Sequence, residues 1–261
     1  MFPLPTEMAC PAPTPQSAVS VELITAGVQH TDWAQVEGGG RTGAVDLPYL
    51  VGVVRHPSGT VLVDSGLGKT TRAGTFPRGL FATFDVEVPE GKAAAERVAS
   101  PRLVLLTHNH FDHVGGLFDF PGVQVWAGLD DTGGLPGDLR RAVNVVGQDL
   151  RDGVVGRALG VPAKDVLGDG TIWYLGTPGH TRGSASVLVR AADRPYLFVG
   201  DTAWVDAHLQ DKRRPALVSA ILDADPSALD RSLDWARWFY ANCPGVAVIA
   251  GHEPSRAEKA P

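Results

Sequence analysis

Short apolar runs separated by turn residues recur along most of the chain. Val19–Ala26, Tyr49–His56 and Thr60–Asp64 read as strands, the last two joined by Pro57-Ser58-Gly59. Arg102–Leu106, Val123–Trp126, Thr171–Leu175, Ala185–Arg190, Pro195–Val199 and Val246–Ala250 extend the series. Gly91–Ala99 and Asp138–Asp149 have helical character. Asp225–Asn242 is the clearest helix: Asp225 suits the N-cap and Pro226 the first helical position, while Leu229, Leu233, Ala236 and Tyr240 share one face. Gly27–Leu47, with Trp33 and three successive glycines, reads as a mobile loop. Strands outnumber helices but the two are interleaved, which predicts layered α/β packing.

With 44% apolar residues in 261, the chain can bury one large core. Residues 1–18 are set apart as a proline-rich flexible arm, and 19–261 as a single domain without an internal linker. The arm lacks the basic start and apolar centre of a secretory leader, so the expected location is the cytoplasm. Cys10 and Cys243 make neither a disulfide framework nor a thiolate metal cluster, and a core of this size requires no staple. No apolar run approaches the ~20 residues that span a bilayer. A net charge of −6 argues against a general grip on nucleic acid or anionic lipid.

The chemistry concentrates in Thr107-His108-Asn109-His110-Phe111-Asp112-His113, directly after an apolar strand. Three of the chain's eight histidines and one aspartate fall within six residues there. Imidazole nitrogen with carboxylate oxygen is the donor set of zinc or a similar divalent ion. His180, Asp201 and His252 each follow a strand, and each is preceded by a glycine that removes bulk where backbone must come close. Trp204 and His208 follow Asp201 closely and, with Trp33, are candidates to line a substrate cleft. Lys212, Arg213 and Arg214 form a basic patch that could face solvent or an anionic group. No G-x-S-x-G elbow occurs, so a serine hydrolase is unsupported.

These residues, with Val61-Leu62-Val63-Asp64-Ser65-Gly66, resemble the ligand set and early strand-turn motif of the metallo-β-lactamase superfamily. The resemblance runs from about Val21 to His252. It implies a four-layer αββα sandwich with two divalent ions, most simply zinc, with iron or manganese as alternatives. One ion would take His108, His110 and His180, the other Asp112, His113 and His252, with Asp201 between them. Asp64 would orient a ligand histidine. The implied reaction is attack of a metal-bridging hydroxide on a carbonyl, with Asp112 passing the proton to the leaving group. The short tail after His252 resembles single-domain lactonases acting on acyl-homoserine lactones, so the expected partner is a small-molecule lactone or ester. One departure stands out: such lactonases carry a tyrosine three residues after the bridging aspartate, and this chain has Trp204. A glyoxalase II-like thioesterase, a mononuclear iron persulfide dioxygenase, a β-lactam hydrolase and a metal-stabilised binding protein remain alternatives, and a homodimer is open.

Overall fold

A computed structural model describes residues 8–14, 18–210, 216 and 221–258. The basic patch Lys212, Arg213 and Arg214 lies outside the described residues. Among the described residues there are thirteen strands: β1 (Ser20–Asp32), β2 (Ala44–Arg55), β3 (Val61–Val63), β4 (Val86–Glu87), β5 (Leu103–Leu105), β6 (Gln124–Gly128), β7 (Asn144–Gln148), β8 (Arg157–Ala158), β9 (Val161–Asp165), β10 (Ile172–Gly176), β11 (Ala185–Arg190), β12 (Pro195–Gly200) and β13 (Ala247–Ala250). They form a sheet of order β4-β1-β2-β3-β5-β6-β7 and another of order β13-β12-β11-β10-β9-β8. Both are mixed. β3, β5, β6 and β7 run parallel, as do β12 and β13, while the other neighbours are antiparallel.

Strands β3 and β5 show why the sheets stack. Every residue of Val-Leu-Val and Leu-Val-Leu is buried, as a strand covered on both faces requires. Val61, Val63, Leu103 and Leu105 point into a core shared with Tyr174, Val187, Val189, Phe198 and Ile249 of the facing sheet. Leu62 and Val104 point the other way, onto Ala94, Leu117 and Leu139 of the helical segments outside the first sheet. The long helix Pro226–Asn242 covers the outer face of the second sheet through Leu233, Ala236 and Phe239. Its start is as the sequence predicts: the Asp225 carboxylate accepts the Ala228 N–H at 2.9 Å.

Three stretches depart from the sequence reading. Gly27–Leu47 is not a loop over most of its length, because β1 and β2 pair from Ser20↔Arg55 to Asp32↔Ala44 across a bulge near Thr25–Val28. Asp138–Asp149 is helical only over Gly137–Ala142 and then becomes β7, where Asn144–Gln148 gains a parallel ladder with β6. The sheet edge outweighs the local helical pattern there. Finally, Cys10 and Cys243 form a disulfide. The described part of the arm, 8–14, is thereby fixed to the end of the long helix, and Thr14 N–H and Ala12 C=O bond Ala191 and Arg190. A separation of 233 residues concealed that adjacency.

Candidate metal centre and cleft

The proposed ligands come from strand ends on one edge of both sheets. β3 delivers Asp64, β5 delivers His108, and the one-turn helix Phe111–Val114 carries Asp112 and His113. β10 leads to His180, β12 to Asp201 and β13 to His252. Close approach explains the preceding glycines. A Cβ on Gly251 would lie 2.5 Å from Asp201 Oδ1, and one on Gly179, at φ +143°, would lie 2.2 Å from the Leu229 nitrogen.

His108, His110 and His180 make one group, and Asp112, His113, Asp201 and His252 another; in each, the donor atoms lie within 4.8 Å of one another. Asp201 faces both. Its Oδ2 is 3.5 Å from His180 Nε2 and 3.9 Å from His108 Nε2. Its Oδ1 is 3.1 Å from His252 Nε2 and 3.3 Å from His113 Nε2. Asp112 Oδ2 is 3.5 Å from both of those imidazoles. His108 Nε2, His113 Nε2 and Asp201 Oδ1 are buried without a well-formed hydrogen bond to any described residue. Orphaned donor atoms of this kind are costly unless something else satisfies them, and a nitrogen–oxygen cage fits a divalent cation.

The outward ring nitrogens are held. His113 Nδ1 is 2.8 Å from Asp64 Oδ2, and the same carboxylate accepts the Thr107 N–H at 2.7 Å and its hydroxyl at 2.8 Å. Asp64 adopts φ +59°, an uncommon conformation for a non-glycine residue, stabilised here by those three bonds. His252 Nδ1 is 3.1 Å from the Pro48 carbonyl and His180 Nδ1 is 2.8 Å from Asp223 Oδ1. Each of these rings thus turns Nε2 inward. Burial, reinforced by the neighbouring His113, drives His108 well below its usual pKa, and burial with His180 lowers His110 to about 3. Both are therefore neutral, the ligating form. Burial opposes the charge on Asp201, yet His252 and His113 hold it well below the carboxylate range.

A cleft of about 220 Å³ opens on Asp112, Asp201, His110 and His252. Its walls are largely apolar: Val36, Leu47, Phe81, Phe84, Phe111, Trp204 and Leu222, with Gln29, Thr31 and Gln35 as polar points. Trp204 stands edge-on to both His180 and His252, with ring centroids 6.4 and 5.9 Å away. Two other candidates lie elsewhere. Trp33 lines a separate surface cavity and stacks under the Arg41 guanidinium, 3.4 Å from its ring centre. His208 is fully buried, its Nδ1 accepting the Trp204 N–H at 3.3 Å, so it fixes the backbone of the wall residue instead of meeting substrate. Sequence reasoning missed Asp223, hidden in the run leading to the helix cap, and Phe81 and Phe84, which lie between recognisable elements.

Two facing mixed sheets with this donor cage at one edge define a metal-dependent hydrolase. The family model of the metallo-β-lactamase superfamily matches residues 44–129. The chain is 27% identical to the N-acyl homoserine lactonase AttM of Rhizobium johnstonii over 245 residues, covering 86% of this chain and 89% of that one. It is 30% identical to the human acyl-coenzyme A thioesterase MBLAC2 over 58% of this chain and 57% of the thioesterase. Its fold matches that of a Bacillus thuringiensis AiiA variant solved with N-decanoyl-L-homoserine at its active site (TM-score 0.68, 16% identity, 90% of this chain and 94% of that one). It also matches AidC, a dizinc quorum-quenching lactonase (TM-score 0.62, 14% identity, 97% and 95%).

Proposed function

We propose that the chain opens the ester ring of a lactone bearing an apolar acyl group, with N-acyl homoserine lactones as the model class. The observation that carries this reading is the convergence of seven nitrogen and oxygen donors, four of which (His110, Asp112, Asp201 and His252) open on an apolar-walled cleft. The similarity to AttM over most of both chains supports it. His108, His110 and His180 would hold one divalent ion, most simply zinc, and Asp112, His113 and His252 a second, with Asp201 shared. Bound there, such ions polarise a carbonyl and make an ionised water available near neutral pH.

The protein's own groups supply the rest. Val36, Leu47, Phe81 and Phe84 take the acyl body and exclude water from the reacting ester. Gln29, Thr31 and Gln35 offer hydrogen bonds to a polar amide link. Asp112 lies on the cleft floor and is placed to hand a proton to the departing alkoxide. Trp204 closes the side where lactonases of this layout carry a tyrosine; its indole packs against substrate and offers one N–H. Similarity to MBLAC2 favours an acyl thioester as a second reading. Steady-state hydrolysis of zinc-loaded protein on short- and long-chain acyl-homoserine lactones, acyl thioesters and a β-lactam decides. We expect the highest kcat/KM on a lactone; thioesters exceeding every lactone would overturn the reading.

A further inference from the structure

The two histidine groups are braced by different parts of the chain. His113 is braced by Asp64 from the first sheet. His180 is braced by Asp223, whose side chain is 7% exposed and which follows Ile221 and Leu222 of the cleft wall. Asp223 is not an isolated partner. The Ala224 N–H donates to the His180 carbonyl at 3.0 Å and the Asp225 N–H to the Gly179 carbonyl at 2.9 Å. The Ser232 hydroxyl donates to the Pro178 carbonyl at 2.7 Å. The Gly179 backbone presses against Leu229 so closely that no Cβ fits. The ligand loop, the wall segment and the start of the long helix are therefore one hydrogen-bonded unit.

From this we infer that Asp223 is a positioning residue with two effects: it fixes the His180 tautomer that presents Nε2 inward, and it couples metal occupancy at the His108–His110–His180 group to the order of the cleft wall at 221–222. The inference rests on the two-ion reading above. Nδ1–H on His180 donates to the buried carboxylate, which leaves the Nε2 lone pair facing His110 and Asp201. A cation drawing on that lone pair strengthens the Nδ1–H···Asp223 bond, and through it the placement of the next residues back along the chain. By linkage, substrate seated against Leu222 favours metal retention at this group and leaves the Asp64-braced group unaffected.

Zinc binding to metal-stripped full-length protein, measured against a competing fluorescent chelator, tests the assignment. Asp223→Asn and Asp223→Leu should each weaken one of two ions by about 10–100-fold. Asp64→Asn should weaken the other, and the double variant Asp64→Asn/Asp223→Asn should weaken both. Hydrogen exchange gives a readout independent of activity: zinc should protect amides 221–225 in the wild type and in Asp64→Asn, and fail to do so in Asp223→Leu. Imidazole nitrogen NMR of His180 should show the Nδ1–H form in the wild type and a mixture in Asp223→Leu. Unchanged zinc affinities in both Asp223 variants, or equal weakening of both ions by Asp223→Asn, would overturn the inference. A wild-type chain that binds only one ion would instead overturn the two-ion reading itself.

Discussion

The molecule has a larger cavity than its candidate active cleft. About 540 Å³ lies in an open depression lined by Leu129, Leu150, Val161, Pro162 and Pro178, against about 220 Å³ beside the histidines. No described residue lines both, although Pro178, Arg182 and Gly183 of the larger one lie beside His180 in the sequence. Their chemistry differs completely. In the larger cavity Arg151 pairs with Asp149, and Gln148 accepts from Lys164 at 2.8 Å. In the smaller one, charged and neutral donors converge, with buried atoms that no described residue satisfies. Volume measures how loosely elements meet; function is marked by polar groups that the fold has desolvated without supplying a partner.

The sharpest way to break this contrast is to remove the shared donor. Asp201→Ala should lower kcat/KM for lactone hydrolysis about a thousandfold, on the order of 4 kcal/mol of transition-state stabilisation. Retained activity in steady-state assays would detach the reaction from the cage. The next largest effect concerns stability. Reducing Cys10–Cys243 should cost about 3 kcal/mol, the usual measured worth of a disulfide, read as a lower urea midpoint. Hydrolysis below the transition should stay within twofold, as the bond lies at the far end of the long helix from Asp225. Thiol counting on protein taken directly from cells also bears on location, since such pairings persist in oxidising compartments, in tension with the cytoplasmic expectation.

Smaller changes sharpen the comparison. Phe84→Ala should raise KM for long-chain lactones about tenfold, roughly the 1.5 kcal/mol of a buried apolar contact, and leave short-chain substrates nearly unaffected. Equal losses for both would place the acyl group elsewhere. Arg182→Ala, in the larger cavity, should change kcat/KM less than twofold. A tenfold loss there would make that cavity part of the working site.

Much of the site was legible because its residues announce themselves in short order. His108 to His113 form a dense donor cluster, and His180, Asp201 and His252 repeat one local pattern of strand, glycine and ligand. The central strands were equally plain, since β3 and β5 are apolar throughout. Residues that act through contacts distant in sequence were less visible. Trp33 and His208 have the right side chains near the right segments, yet one stacks under Arg41 and the other is sealed behind Trp204. Asp223, unremarkable in a run of aspartates, holds a ligand 43 residues away.

The order of donors, the apolar strands and the capped long helix were thus written into the chain itself, because hydrogen-bond geometry and side-chain periodicity act between near neighbours. The tertiary structure alone decided that β7 would be a strand, that Cys10 would meet Cys243, and which aromatic rings would wall the cleft. Those outcomes depend on how two sheets stack and which edge is left open. No local pattern encodes them, for the energies involved arise only once distant segments have displaced water from between them.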